Sequence, residues 1–351
     1  MMPRSSKLPA HLFSDGIIQA PMAGLTDAAI VIASCQAGIL GSLGAGNLEP
    51  AAIRTEIKKI RSATDRPFNI NLFVVNEAIS PEIPTDELLV LRNYYNENGI
   101  DFEIPTKFCP SFRDQFHVIL DEAPAIASFT FGILDTEAIN ELHKRNIFVI
   151  GTATNLLEIK NWQDIGADAV CLQGTEAGGH RGTFKFSEEE PDLFTLLQQA
   201  TSIAHIPIVA AGGIMDGASI VSCFRHGADA VQLGTAFLCC NEALTPEAYR
   251  NKLLSGLTAD DTIVTRAFSG RPARGVRNEF IVMFDALPVS PYPIRNALTQ
   301  PLRKWATQKG DAENMSLWAG TGLAAIRSLG LSELVSTLRR EMEDSEGIRH
   351  F

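Results

Sequence analysis

The amino-acid sequence predicts an α/β protein: a (β/α)8, or TIM, barrel with an insertion after strand 8 that forms a small lid or substrate domain. Short apolar runs alternate with helical patterns along most of the 351 residues, which is typical of βα units around a parallel sheet. Eight such runs occur before residue 242. A short internal repeat supports the count of eight strands, because the sequence GADAV at residues 166–170 recurs at residues 227–231, each time at the start of a strand.

The elements follow from the positions of these patterns. The predicted strands are residues 17–21, 39–43, 68–73, 125–131, 147–152, 169–173, 206–211 and 230–233. The predicted helices between them are residues 26–37, 50–62, 136–144, 155–164, 191–203 and 216–226. An open, doubly wound sheet is the alternative, but the first strand carries no dinucleotide-binding glycine fingerprint. The nearest matches start at Gly41, where the spacing is wrong, and at Gly320, which no strand pattern precedes.

Two segments are too long to be ordinary βα loops. Residues 76–122 contain an amphipathic helical pattern at 86–98, and residues 243–310 follow the eighth strand and include a proline-rich bend. We expect the second segment to cover the barrel mouth, where βα loops place active sites. The predicted divisions are a barrel at residues 12–242, a lid at residues 243–310, and a C-terminal helical segment at residues 311–345 that starts its helix near Trp318 and returns to the barrel.

Composition restricts the partners and the compartment. The chain has 30 basic and 41 acidic residues, a net charge of −11, which disfavours nucleic acid or an anionic membrane as a partner. Its six cysteines form no C-x-x-C pair, and no spacing resembles a metal site, so we expect free thiols and no metal. No apolar run has signal-peptide or membrane-spanning length. We expect a cytoplasmic protein that acts on a small molecule, and a homodimer is compatible with the sequence.

A glycine-rich loop at residues 173–182, QGTEAGGHRG, follows the sixth strand. Four glycines let the backbone approach a flat or charged ligand closely. His180 lies at the tip, and its imidazole, which titrates near neutrality, suits proton transfer. A buried core histidine is the less favoured alternative, because such loops lie at surfaces and clefts. Arg181 either adds positive charge or, as we favour, faces solvent, and Glu176 either orients His180 or faces solvent.

The ends of the seventh and eighth strands predict a phosphate site. The seventh ends in Gly212 and Gly213, and the eighth ends in Gly234 and Thr235. Barrel enzymes frequently bind phosphate between these two loops through backbone N–H groups. The sequence lacks a P-loop lysine, so we expect the phosphate to be held and not transferred.

Amide side chains near the barrel mouth suit a flavin ring. Asn69 and Asn71 alternate with apolar residues on the third strand, so both are expected to face inward, and Gln173 ends the sixth strand. Amides match the mixed donors and acceptors of an isoalloxazine edge, although a polar layer inside the barrel is the alternative. Residues 20–24, which include Met22, offer an apolar floor. Flavin mononucleotide (FMN) across the barrel mouth satisfies all these features.

These residues resemble the nitronate monooxygenase family. The matching stretches are residues 20–24, 71–73, 173–182, 211–214, 232–236, 265–278, 292–299 and 318–320. The resemblance implies FMN as cofactor and His180 as the catalytic residue. The predicted FMN-binding residues are Met22, Asn71, Gln173, Gly178, Gly179, Gly212, Gly213, Gln232, Leu233, Gly234 and Thr235. The chain departs from the family at Thr321, where members often have glutamine, and Tyr292 lacks a tyrosine or lysine partner at helical spacing.

The resemblance implies an enzyme that uses O2 to oxidise alkyl nitronates, or nitroalkanes, to a carbonyl compound and nitrite. The alternative is an NAD(P)H-dependent FMN reductase, such as an enoyl-acyl-carrier-protein reductase, which has a similar Gly-Gly-His loop. Arg181 and residues 265–278 favour the monooxygenase. A non-catalytic flavin-binding protein is a third class, but no partner-recruiting tail supports it.

Overall fold

The computed structural model describes residues 8–75, 83–186 and 190–347. In chain order its strands are β1 (Ile17–Gln19), β2 (Gly41–Gly44), β3 (Phe68–Phe73), β4 (Ile126–Thr130), β5 (Phe148–Ala153), β6 (Ala169–Gln173), β7 (Gly179–His180), β8 (Ile208–Ala211), β9 (Ala230–Leu233), β10 (Thr262–Thr265) and β11 (Ala273–Val276). A parallel sheet runs in the order β1-β9-β8-β6-β5-β4-β3-β2. A bridge between Ile18 and Leu40 joins β1 to the segment before β2 and closes the barrel. The predicted fold class is therefore confirmed.

Helices surround this barrel and build much of the segment that follows its eighth strand. They are α1 (Ala28–Gln36), α2 (Pro50–Ala63), α3 (Thr85–Glu97), α4 (Phe112–Glu122), α5 (Thr136–His143), α6 (Leu156–Asp164), α7 (Leu193–Ala200), α8 (Gly217–Arg225), α9 (Glu247–Leu253), α10 (Glu279–Phe284), α11 (Ile294–Leu298), α12 (Gln300–Lys309) and α13 (Leu331–Glu346). Short polar side chains accept hydrogen bonds from the first turns of many of them, as Asp27 does at α1 and Asn155 at α6. Within the described ranges, no helix is both long and apolar enough to span a bilayer.

The repeated GADAV sequence has a structural explanation. The carboxylate of Asp168 accepts a hydrogen bond from the Val149 N–H at 2.7 Å, and that of Asp229 accepts one from the Ile208 N–H at 2.8 Å. The glycine that opens each copy has φ near +90°, at 91° and 93°. Each copy therefore ends a helix with a left-handed glycine and then fastens its aspartate to the preceding barrel strand.

The long segment at residues 76–122 divides between two hydrophobic cores; residues 76–82 lie outside the described part. Val118 and Ile119 of α4 are buried in the core between the barrel and its helices. Leu91 and Tyr95 of α3 instead join a second core, which is built mainly from residues after the eighth barrel strand. The lid, residues 243–310, thus packs on a helix that comes from a βα loop of the barrel.

A buried ion pair fastens α3 to the lid. Arg295 lies 3.1 Å from Glu87, and neither side chain is accessible to solvent. The Glu87 carboxylate also accepts hydrogen bonds from the N–H and the hydroxyl of Ser290. Because an unpaired buried charge is costly, these contacts fix the relative position of the two segments.

The C-terminal helix starts later than expected. The sequence placed its start near Trp318, but residues 318–330 form a short 3-10 turn and irregular chain, and α13 begins at Leu331. Trp318 instead forms a bridge with Gly275 of β11, and the Gly320 N–H donates to the Thr235 hydroxyl at 2.9 Å. These tertiary contacts hold the segment against the barrel mouth, after which α13 packs on α8 and α1.

We predict that Asp168→Ala lowers the free energy of unfolding by about 1–3 kcal/mol, because the buried Val149 N–H loses its carboxylate partner. Urea denaturation followed by circular dichroism measures the change. Asp164→Ala is the matched control, since that carboxylate is exposed at the end of α6, and it should change stability by less than about 0.5 kcal/mol. Equal losses in both variants would contradict the structural role of the repeat.

Candidate functional site

A cavity of about 590 Å³ opens at the carboxyl ends of the barrel strands. This volume is within the usual range for a small-molecule site, roughly 300–1,000 Å³. The cavity brings together predicted catalytic and cofactor-binding residues from five barrel strands and the loops that follow them. Those that line it are Met22, Asn71, Gln173, Gly178, Gly179, His180, Gly212, Gly213, Gln232, Gly234 and Thr235.

Leu233 is the predicted residue whose side chain lies elsewhere. Successive side chains of a strand point to opposite faces, so Gln232 faces the cavity while Leu233 faces the surrounding helices, where it is 1% exposed. The Leu233 carbonyl accepts a hydrogen bond from the Ala20 N–H at 2.8 Å. Leu233 thus helps to hold the turn after β1 and does not offer its side chain to a ligand.

His180 is part of a small antiparallel sheet and not of a free loop. Strand β7 pairs with β11, placing His180 opposite Ala273, and β11 pairs with β10. The Arg181 N–H continues the pairing by donating to the Pro272 carbonyl at 2.8 Å. The lid therefore fixes the backbone of His180 through main-chain hydrogen bonds.

Gln173 holds the same segment from the barrel side. Its Nε2 donates to the His180 carbonyl at 3.0 Å, and its Oε1 accepts from the Gly182 N–H at 2.8 Å. An amide supplies a donor and an acceptor together, which these two contacts require. One N–H of Gln173 remains available to a ligand in the cavity.

Arg181 is buried, so the expectation of a solvent-facing arginine is wrong. Its side chain is 2% exposed and forms an ion pair with Glu190. Its guanidinium also donates to the Gly174 carbonyl at 2.6 Å and to the Gln173 carbonyl at 3.1 Å. Burial of the charge is tolerated because carbonyl and carboxylate oxygens surround it. Arg181 thus braces the glycine-rich loop from inside.

Ser269, and not Glu176, contacts the imidazole. Glu176 accepts hydrogen bonds from the Leu193 N–H at the start of α7. The Ser269 Oγ lies 2.9 Å from His180 Nε2 and donates its own proton to the Arg271 carbonyl at 3.0 Å. When Oγ donates its single proton to that carbonyl, it accepts the proton that Nε2 carries, and Nδ1 is left unprotonated. Sequence reasoning did not single out Ser269, although it lies within the family-like stretch at residues 265–278.

The surroundings of His180 favour its neutral form. Aromatic rings pack around the imidazole, with centroid distances of 5.5 Å for Phe131, 5.5 Å for Trp318 and 5.8 Å for Tyr292. Burial, followed by the positive charges of Arg271 and Arg303, lowers the pKa of His180 to about 3. The histidine is therefore neutral at physiological pH.

The loops after β8 and β9 offer free hydrogen-bond donors. Gly212 and Gly213 have φ of +129° and +69°, backbone conformations that residues other than glycine rarely adopt. In the described part of the chain, the Gly213 N–H has no partner. The Thr235 hydroxyl accepts from the Gly320 N–H, and its own proton remains available. This donor set suits a phosphate group.

The cavity wall also includes the polar side chain of Asn71 and the apolar turn that contains Met22. The Asn71 Nδ2 donates to the Ser128 hydroxyl at 3.0 Å, and its Oδ1 has no partner among the described residues. The turn containing Met22 is held by the Thr26 hydroxyl, which donates to the Met22 carbonyl at 3.0 Å and accepts from the Gly44 N–H at 2.9 Å. The cavity wall thus has an apolar turn held by hydrogen bonds, and the Asn71 Oδ1 can accept a hydrogen bond from the edge of a ligand ring.

The fold and the site define an oxidoreductase on a (β/α)8 barrel. A family model of nitronate monooxygenases, a generally flavin-dependent group, matches residues 6–341, and the chain belongs to this family. A nitronate monooxygenase of Paraburkholderia phytofirmans is 40% identical, with 98% of this chain and 97% of the relative covered. These findings confirm the resemblance seen in the sequence.

Two solved structures show the same architecture. A nitroalkane oxidase from Streptomyces ansochromogenes superposes with a TM-score of 0.91 at 38% identity, covering 96% of this chain and 98% of that one. FabK from Thermotoga maritima gives a TM-score of 0.76 at 25% identity, covering 95% and 94% of the two chains. The similarity includes the lid as well as the barrel, since the coverage is nearly complete in both.

We predict that Gly178→Ala destabilises the protein more than Gly179→Ala. A Cβ on Gly178 would lie 2.5 Å from backbone atoms of Ala319 and Gly320, so the C-terminal segment would have to move, at a cost of up to about 3 kcal/mol. A Cβ on Gly179 meets nothing within 4 Å and adds only the strain of φ +75°, about 1–2 kcal/mol. Thermal and urea denaturation rank the two variants. A larger loss of stability in Gly179→Ala than in Gly178→Ala would contradict the close contact between Gly178 and the backbone of Ala319 and Gly320.

We also predict a pH-dependent contribution of His180 to stability. Its folded pKa of about 3 lies below the ordinary value of 6.5, so the unfolded state binds a proton that the folded state does not. Stability is lost as the pH falls from 6.5 towards 3, on the order of 1 kcal/mol at about pH 5 for this partly exposed ring. Urea denaturation at about pH 7.5 and about pH 5 should show this loss in the wild type and a smaller one in His180→Asn. Identical pH dependence in both would refute the neutral histidine.

Proposed function

We propose that the protein uses FMN and O2 to oxidise alkyl nitronates to carbonyl compounds and nitrite. In this reaction two nitronates and one O2 give two carbonyl compounds and two nitrite ions, which balances atoms and charge. The observation that carries the proposal is a neutral His180 with a free Nδ1, facing a cavity lined by positive charge. Among the described residues, Arg303 and Lys304 line this cavity and no carboxylate does.

The residues present fit FMN. The free N–H of Gly213 and the hydroxyl of Thr235 would hold its phosphate, as helix and loop N–H groups do in other barrels. The Asn71 Oδ1 and the remaining Gln173 N–H would bind the ring edge, with the Met22 turn beside it. When bound, the flavin supplies the electron transfer that no side chain can perform.

His180 would act on the proton of the substrate. Because Ser269 fixes the proton on Nε2, Nδ1 is the atom able to accept the α-proton of a neutral nitroalkane. Arg303 and Arg271 would stabilise the negative charge that develops on the nitro group. That negative charge also offsets the guanidinium charges, so the imidazole gains proton affinity as the reaction proceeds. A nitronate that is already anionic needs no proton removal, and His180 would then only orient it.

We predict that His180→Asn retains FMN but loses about 10²–10⁴-fold in turnover of a neutral nitroalkane, the usual contribution of a general base. The loss with preformed propyl-2-nitronate should be smaller. Flavin absorbance measures cofactor content, and an oxygen electrode measures turnover. Full activity of the variant with both substrates would contradict the assigned role.

The reductase alternative requires a separate test. The purified holoenzyme is mixed without oxygen with propyl-2-nitronate, NADH or NADPH, and flavin absorbance is followed. Bleaching by the nitronate alone supports the proposal. Rapid bleaching by a nicotinamide, without bleaching by the nitronate, would support a reductase, and a protein that cannot be reconstituted with FMN would exclude both.

A further inference from the structure

Arg303 lies on α12, at the boundary between two cavities. It lines the main cavity and also a second, polar cavity of about 180 Å³. The two cavities share Asn47, Asn296, Gln300 and Arg303 in their linings. Arg303 therefore lines the site from the lid, where the main cavity meets the second one.

The hydrogen bonds of Arg303 leave most of its donors unused. Nη2 donates to the Asn296 carbonyl at 2.7 Å and to the Asn296 Oδ1 at 3.0 Å. Nε is buried and has no partner in the described part of the chain. No ion pair of Arg303 with a described carboxylate is present either. Asn296 thus orients a guanidinium whose charge the surrounding protein does not neutralise.

Two fully buried arginines, Arg181 of the loop and Arg295 of the lid, are paired with Glu190 and Glu87. Arg303 is half-buried at the cavity wall, and desolvation lowers its pKa to about 10, so it remains charged at neutral pH. An anion in the cavity would supply the partner that this partly desolvated charge lacks among the described residues.

The cavity that Arg303 shares with His180 identifies where the anion lies. Arg303 and Arg271 both act electrostatically on the imidazole. Arg271 already donates to the Arg181 carbonyl at 3.0 Å and to the Thr183 carbonyl, whereas Arg303 keeps free donors at the cavity wall. An anion that contacts Arg303 would therefore lie in the cavity that His180 also lines.

We propose that Arg303 is a specificity-determining residue of the substrate site, one that binds the anionic nitro group and selects nitronates over neutral nitroalkanes. This inference rests on the proposed function. Charge-assisted hydrogen bonds from a guanidinium to the two oxygens of a nitronate are stronger than those to a neutral nitro group. A preformed nitronate carries its negative charge already in the ground state, so for that substrate the removal of Arg303 affects KM more than kcat.

The test compares Arg303→Met and Arg303→Lys with Lys309→Met in the FMN-loaded enzyme. Lys309 is the matched control, because it lies on the same helix, α12, and carries the same charge, but it is exposed and lines neither cavity. We expect Arg303→Met to raise the KM for propyl-2-nitronate about ten-fold or more with a much smaller change in kcat. The KM for neutral 2-nitropropane should change little, Arg303→Lys should restore part of the affinity, and Lys309→Met should resemble the wild type.

A second measurement separates this inference from the proposed function. The holoenzyme and its variants are titrated with sodium nitrite, and the flavin absorbance change gives Kd. Nitrite binding that Arg303→Met weakens about ten-fold and Lys309→Met does not would support the anion site even if nitronates are not turned over. Unchanged nitrite Kd and unchanged nitronate KM in Arg303→Met, or equal effects of Lys309→Met, would overturn the proposal.

Discussion

The site depends on the antiparallel pairing of Gly179 and His180 with Arg274 and Ala273. This pairing joins a loop of the barrel to a strand of the lid, so neither part can hold the histidine alone. Gln173 fastens the same loop from the barrel side through its carboxamide. Because backbone hydrogen bonds fix the strand register, His180 is held at the cavity wall, where aromatic rings pack around its imidazole.

The charge arrangement follows from this pairing. Bringing β11 to the loop also brings Ser269 and Arg271, which set the tautomer of His180 and lower its pKa. The lid also adds Arg303 to the wall of the cavity that His180 lines. A neutral histidine among cationic groups suits a substrate that carries, or develops, negative charge.

Much of the barrel could be predicted, because strand and helix periodicity is a local property of the sequence. Of the barrel strands, β3, β6 and β9 have the predicted bounds, and the others differ by a few residues. Strands β7, β10 and β11 of the small antiparallel sheet were not predicted. The glycine turns after β8 and β9 were also visible, since the loops at the carboxyl ends of parallel strands meet at one edge. Prediction of the helix near Trp318 failed because its residues form contacts with β11 that no local pattern records.

The sequence by itself determined the alternation of strands and helices, the glycine-rich turns, and the presence of a histidine where the barrel opens. Only the tertiary structure decided that Arg181 is an internal brace and that Ser269 contacts His180 across 89 residues of chain. It also decided that Arg303 lines the same cavity without an ion pair to any carboxylate of the described residues. The physical reason is that hydrogen-bond partners and charge compensation depend on which distant segments meet. The sequence reveals the groups available for bonding, whereas folding decides which of them remain free for a ligand.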